Sequence, residues 1–266
     1  MSFKDQIYSY YIEHKRSFAW RETSDPYKIV VSEIMLQQTQ TDRVKSKYET
    51  FIQTFPTIED LAQAPLAAII AAWQGLGYNR RAQALQLLAQ RVMSEYGGKI
   101  PDAPEELVKF KGIGPATAAS ICAFAFNKPT VFIETNIRAV FIHCHFPTRT
   151  DVADAEILPL VAETVDKENP REWYYALMDY GVMLKKLHKN PSRKSAHYTT
   201  QSKFEGSDRQ VRGLILKLLT QFPRLSENFF FDEVPREPEK IKSILGDLEK
   251  EGFIKHTQGM YQLSHD

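Results

Sequence analysis

The sequence predicts an all-α body of two helical subdomains, followed by a small C-terminal module with a winged-helix-like order of elements. Three observations carry that reading. Apolar residues recur at helical spacing along most of the chain, no strand-like alternation precedes about residue 250, and a Gly112-Ile113-Gly114 turn joins two helical patterns.

In chain order, the apolar run at 29–36 (Ile-Val-Val-Ser-Glu-Ile-Met-Leu) is the first clear helix, and 61–73, 80–92 and 116–126 follow with apolar faces. Pro26, Pro56, Pro101, Pro104 and Pro129 punctuate them, and Gly97-Gly98 marks another break. The Gly112-Ile113-Gly114 turn is the most informative element. Glycine there reaches positive φ and permits close backbone approach, while Pro115 suits the first turn of the next helix. The amides that open that helix are free to hold an anion. Gly-x-Gly also serves ordinary helix–helix turns, but a phosphate-holding hairpin with an acid, Glu134, beyond the second helix points to chemistry on a nucleic acid. Residues 185–203 break the periodicity with Lys, Arg, His, Ser and Thr and read as a basic loop or linker. Beyond them, 209–221 and 238–251 are helical, and 252–264 forms a short hairpin turning at Gln258-Gly259.

At 266 residues the chain can bury a sizeable core as one large body with an appendage. Its apolar share of 43% and charged share of 25% are those of an ordinary globular protein. A formal net charge of +1 means that any nucleic-acid site must come from local basic patches. Two cysteines, Cys122 and Cys144, exclude a disulfide framework and a four-cysteine metal or iron–sulfur site within the chain. No apolar signal region opens the sequence and no run is long enough to span a membrane, so a cytoplasmic location is expected; nucleoid association and a monomeric state are separate expectations.

Candidate chemistry starts at Glu33, inside the apolar 29–36 helix. Desolvation there raises a carboxyl pKa and favours a protonated general acid. The plain alternative is a Glu33 that faces solvent or pairs with Arg21 or Lys28. Gln37 and Gln40 continue the same face, and such amides pair with base edges. Glu134 either presents negative charge to a cationic transition state or pairs with Arg138 four residues on. Asn136 caps a helix or holds a phosphate. In Gly75-Leu-Gly-Tyr-Asn-Arg-Arg, Tyr78 is a candidate wedge between bases, with Arg80 and Arg81 as phosphate contacts. A core tyrosine and two solvated arginines are the alternative. His14, His143, His145, His188 and His197 lack metal-ligand spacing, and both cysteines read as small core residues. No metal site is expected.

With these residues in view, the chain resembles the helix-hairpin-helix DNA glycosylases, and within them the MutY-type adenine glycosylases. The resemblance covers roughly residues 15 to 185. It rests on Phe18-Ala-Trp-Arg, Asp25-Pro-Tyr, Ser32-Glu-Ile-Met-Leu-Gln-Gln-Thr-Gln, Gly75-Leu-Gly-Tyr, Gly97-Gly-Lys, the Gly112 hairpin and Met178-Asp-Tyr-Gly. The run from Ser32 is highly specific. The resemblance implies that Glu33 protonates the departing adenine, that Gln38 and Tyr78 enter the base stack, and that the hairpin grips the DNA backbone. It extends the DNA-contacting set to Arg21, Gln37, Gln38, Thr39, Tyr78, Arg80, Lys111, Gly112, Gly114, Ala116, Thr117 and Asn136. It also implies a six-helix subdomain with the hairpin at 21–132, a second helical subdomain at 1–20 and 133–204, and the winged-helix-like module at 205–266.

Four departures from the family pattern stand out. Glu134 aligns with the family's catalytic Asp, keeping the charge one methylene further out. Ala116 occupies the position of the Schiff-base lysine of bifunctional relatives, which implies no lyase activity unless Lys109 or Lys111 substitutes. Lys185, Ser192 and Ser195 fall where cluster cysteines are expected, so no iron–sulfur cluster and no other cofactor is implied. The basic segment 184–194 is left to contact phosphate in the cluster loop's place. The C-terminal region matches no 8-oxoguanine-sensing domain, and its helix at 239–251 carries as much acid as base. The sequence therefore points to a clusterless, monofunctional glycosylase acting on adenine opposite 8-oxoguanine or guanine in duplex DNA. A mismatch thymine or uracil glycosylase and a non-catalytic DNA-binding protein are the alternatives.

Overall fold

Helices account for most of the residues from 2 to 264, which the computed structural model describes. In order they are α1 (Phe3–His14), α2 (Pro26–Leu36), α3 (Thr41–Thr54), α4 (Ile58–Gln63), α5 (Leu66–Ala72), α6 (Arg80–Glu95), α7 (Pro104–Leu107), α8 (Pro115–Phe126), α9 (Thr135–His145), α10 (Asp154–Thr164) and α11 (Pro170–Leu187). The C-terminal module adds α12 (Asp208–Gln221), β1 (Leu225–Ser226), α13 (Glu227–Glu233), α14 (Pro238–Lys250), β2 (Ile254–Thr257) and β3 (Met260–Leu263). Local chemistry sets many boundaries. Ser2 and Thr57 close reciprocal capping boxes with Asp5 and Asp60 at the starts of α1 and α4. Asn127, at φ 53°, ends α8 in the left-handed conformation.

The chain divides into two compact units: Met1–Glu33 with Pro101–Thr200, and Ile34–Ile100 with Gln201–Asp266. The first is built around α8, whose residues from Ala118 to Ala125 are all buried. A helix so uniformly apolar must be covered on every side. Helix α11 packs against α1, α8 and α9. It packs tightly on the start of α9 at Gly181, where an added Cβ would lie 2.5 Å from the Asn136 carbonyl oxygen. In the second unit α4 and α5 pack on α6, and α12 of the module packs on α5. The module's sheet has the order β1-β3-β2, all antiparallel, with β2 and β3 joined through Gln258 (φ 53°) and Gly259 (φ 75°). Val211, Ile215, Ile241, Leu245, Phe230 and Phe253 fill its core.

Three expectations change. The single helix expected at 61–73 is two helices, because Pro65 takes an extended conformation (ψ 141°) and starts α5 as its N-cap. The basic segment at 185–203 is not wholly a loop: Lys185 to Leu187 complete α11, Pro191–Lys194 form a 3-10 turn, and Val152 pairs with Ser195 in a parallel bridge. A strand, β1, precedes residue 250, but two residues are too short to leave an alternating pattern.

Candidate active site

Helix α2 is apolar almost throughout, so Glu33 enters a crowded interior on the strength of its neighbours. Its Oε2 accepts a hydrogen bond of 2.5 Å from the Ser120 hydroxyl of α8. Desolvation pushes the Glu33 carboxyl up to about 7; the Ser120 bond opposes that rise and the negative charge of Glu134 adds to it. A carboxyl poised there is protonated about half the time at neutral pH, the condition a general acid needs. Arg21 is bound to Asp179 rather than to Glu33, and Ser120 donates to the carboxylate.

Glu134 is the N-cap of α9. Its Oε1 accepts from the backbone amides of Asn136 (2.7 Å) and Ile137 (2.9 Å), and its Oε2 from the Asn136 side-chain amide (3.1 Å). Three N–H donors and the positive end of a helix hold the carboxylate in one orientation. Arg138 turns away from it to Asp154, with bonds of 2.8 and 2.7 Å. The expected helical pair of Glu134 and Arg138 is thus replaced by a cap, because an N-cap side chain points back at the amides that follow it. Asn136 serves Glu134 rather than capping the helix itself.

The hairpin follows its expected form. Gly112 adopts φ 86°, Gly114 caps α8 with an extended backbone, and Pro115 is its first residue. Ile113 is buried and fastens the turn, while Lys111, Gly112, Gly114 and Ala116 are exposed and Thr117 is half-buried. Lys109 is tied to Glu106 at 2.6 Å.

Arg21, expected to touch DNA, is only 6% exposed, and both its terminal nitrogens bind Asp179 (2.9 and 3.0 Å). Arg16 joins them at 2.6 Å, and the Arg21 guanidinium also lies 4.5 Å from the Tyr175 ring centroid. Asp179 is 1% exposed, so this cluster is structural.

In the second unit Arg81 organises another group of candidates. Its Nη1 donates to the carbonyls of Ile34, Met35 and Gln37, and its Nη2 to Thr39 Oγ1 and the carbonyls of Leu76 and Gly77. Burial lowers the Arg81 guanidinium to about 10, still charged at neutral pH. Arg81 therefore ties the end of α2 to the glycine loop, a role its neighbours in sequence did not reveal. Gln38 is exposed at φ 53°, and Gln37 and Thr39 are half-buried. Tyr78, half-buried at φ 48°, accepts hydrogen bonds from Arg209 and Gln201. Arg80 forms a two-pronged ion pair with Glu251 (2.9 and 2.6 Å) while staying 71% exposed.

The segment from Asn190 to His197 is closed by side-chain hydrogen bonds. Asn190 Oδ1 accepts from the Ser192 amide (3.1 Å) and hydroxyl (2.7 Å), and Ser195 Oγ accepts from the His197 amide (3.1 Å). Both serines are buried.

The HhH-GPD superfamily of base excision DNA repair proteins matches this chain over residues 31–159. A thermostable thymine-DNA glycosylase has a similar structure, with a TM-score of 0.60 at 26% identity over 68% of this chain and 85% of that one. The matched segment of this chain belongs to the HhH-GPD superfamily. Among curated members, the adenine DNA glycosylase of Buchnera aphidicola is 33% identical across 64% of this chain. This chain spans only 49% of that relative's length. The adenine DNA glycosylase of Mycobacterium tuberculosis is 28% identical over 91% of this chain and 88% of its own. That last alignment is too long to end before the C-terminal module, so this superfamily member is alignable well past residue 185.

Proposed function

We propose that this protein is a monofunctional DNA glycosylase that removes mispaired adenine, opposite 8-oxoguanine or guanine, from duplex DNA. One observation carries the reading: a general-acid carboxyl at about 7, Glu33, with the capped carboxylate of Glu134 close enough to raise it. Glu33 donates its proton to the flipped base as the glycosidic bond breaks. Glu134, held by three N–H groups, sets negative charge against the oxocarbenium-like sugar. Water attacks the sugar with Glu33, now a carboxylate, as its base. The exposed hairpin at Lys111 to Ala116 offers amides to phosphate, and Gln38 and Tyr78 enter the base stack. Ala116 has no amine, which leaves the released abasic strand intact. The names of the curated relatives favour adenine.

Lys186 and Lys189 are exposed beside the Ser192 turn and supply the phosphate contact of the missing cluster loop. Charge reversal at these two and at the half-buried Lys185 is expected to weaken duplex binding and flatten its salt dependence. Unchanged binding removes them from the interface.

Likeness to a thymine-DNA glycosylase gives a second reading, thymine opposite guanine, some weight. Single-turnover excision on duplexes carrying adenine opposite 8-oxoguanine, guanine or cytosine, and thymine or uracil opposite guanine, separates the two. Adenine loss visible only after alkali supports the proposal. Thymine loss transfers the protein to the second reading, and tight binding without excision makes it a DNA-binding protein.

A further inference from the structure

Tyr78 is held in a setting that the glycosylase reading does not explain. Its φ of 48° lies in the left-handed region, which a residue with a bulky side chain rarely takes. The guanidinium carbons of Arg81 and Arg209 lie 5.4 and 4.9 Å from its ring centroid. Arg209 and Gln201 both donate to its hydroxyl oxygen. Arg209 is itself fixed, its Nη2 donating to the Ser202 carbonyl (2.8 Å) and hydroxyl (3.2 Å).

Arg209 and Gln201 belong to the C-terminal part of the chain, and the module there is locked to α6, which begins two residues after Tyr78. Glu251, at the end of α14, takes both prongs of Arg80 from α6 and both of Arg212 from α12, the latter at 3.1 and 2.5 Å. Its backbone carbonyl also accepts from Gln83 of α6 at 2.9 Å. Helix α12 thus cannot drift from α6 without breaking a four-pronged clamp, and its first turn carries Arg209.

We propose that Arg209 is a positioning residue for Tyr78, and that the C-terminal module presets this side chain for mispair recognition. With two donors on the hydroxyl oxygen, only its proton remains to be shared, so the group faces nucleic acid as a hydrogen-bond donor. A ring held in one orientation before DNA arrives loses less freedom on binding. This inference rests on the assignment of Tyr78 to the base stack.

The test compares wild type, Arg209→Ala, Arg209→Lys, Tyr78→Phe and the Arg209→Ala/Tyr78→Phe double variant. Single-turnover rate and Kd are measured on duplexes with adenine opposite guanine and adenine opposite thymine, and Tm is recorded for each protein. Expected is a loss of about tenfold in mispair rate for Arg209→Ala and for Tyr78→Phe, with partial recovery in Arg209→Lys. The double variant should be no worse than the poorer single one, because both substitutions break the same bond. Losses that multiply in the double variant overturn the proposal. If Arg209→Ala lowers Tm strongly, Tyr78→Phe decides: it keeps the ring and removes only the hydroxyl, and an unchanged rate and Kd overturn the proposal. If wild type excises nothing, the glycosylase reading fails. The same cycle is then read in mispair Kd alone, where independent losses overturn the positioning role.

Discussion

Replacing Glu33 with Gln tests the chemistry and the energetics of the site together. Folding lifts this carboxyl from an ordinary 4.5 to about 7, mainly by desolvation. At about 1.4 kcal/mol per pH unit, the folded state loses about 3 kcal/mol of stability once the carboxylate must be ionised inside it. The sign follows from the raised value. Below 4.5 the group is protonated folded and unfolded, and nothing is lost. Between 4.5 and 7 the unfolded chain releases its proton first and stability falls; above 7 the full cost is present. Glu33→Gln keeps the shape, removes the ionisation and should therefore be the more stable protein at pH 8, by up to about 3 kcal/mol, with the gain shrinking as pH falls towards 4.5. Its single-turnover excision should be abolished while its duplex Kd changes little. Denaturant unfolding at pH 5 and pH 8 reads the first effect, and base release from an adenine mispair the second. Wild-type excision should also fall about tenfold per pH unit above 7, as the acid form is lost. Surviving activity in the variant, or a stability difference that does not vary with pH, would refute the argument.

Other consequences are simpler. Ser120→Ala removes a bond that lowers the Glu33 pKa, so the alkaline limb of the rate profile should move to higher pH; a shift to lower pH contradicts the assigned role of Ser120. Gly181→Ala drives a methyl into the Asn136 carbonyl, which should cost about 1–3 kcal/mol in unfolding measurements. By moving the start of α9 it should also slow excision more than it weakens DNA binding, and an unaltered rate would mean that α9 tolerates the displacement. Arg21→Ala leaves Asp179, 1% exposed, with Arg16 as its one remaining arginine partner. With Arg16 still in place, the loss should fall short of the roughly 3–5 kcal/mol of a wholly unpaired buried charge, whereas a residue that served only to touch DNA would leave Tm unchanged and weaken binding alone.

The helical body, the hairpin and the terminal β-turn were legible because each depends on local rules: apolar spacing, a glycine needed at positive φ, a proline suited to a first helical turn. Glu33 was legible for a related reason, since an acid inside an apolar run must meet low dielectric wherever the helix packs. The break at Pro65 was also written in the sequence, but the apolar residues on both sides masked it.

What folding decided is which partners the charged groups chose. Glu134 and Arg138 have the spacing of a helical pair, yet the carboxylate turns to the unpaired amides that open α9, and Arg138 finds Asp154. Arg21, Arg80 and Arg81 look interchangeable as basic residues. The first neutralises a buried aspartate, the second meets Glu251, and the third is spent on backbone carbonyls. Ser120 is one hydroxyl in a run of alanines until α8 brings it to Glu33. Periodicity and turn chemistry act within a few residues, so the sequence by itself determined the helices, the hairpin and the acid. The Coulombic and hydrogen-bonding partners of that acid and of the arginines stand up to 171 positions apart in the chain, and only tertiary packing could bring them together.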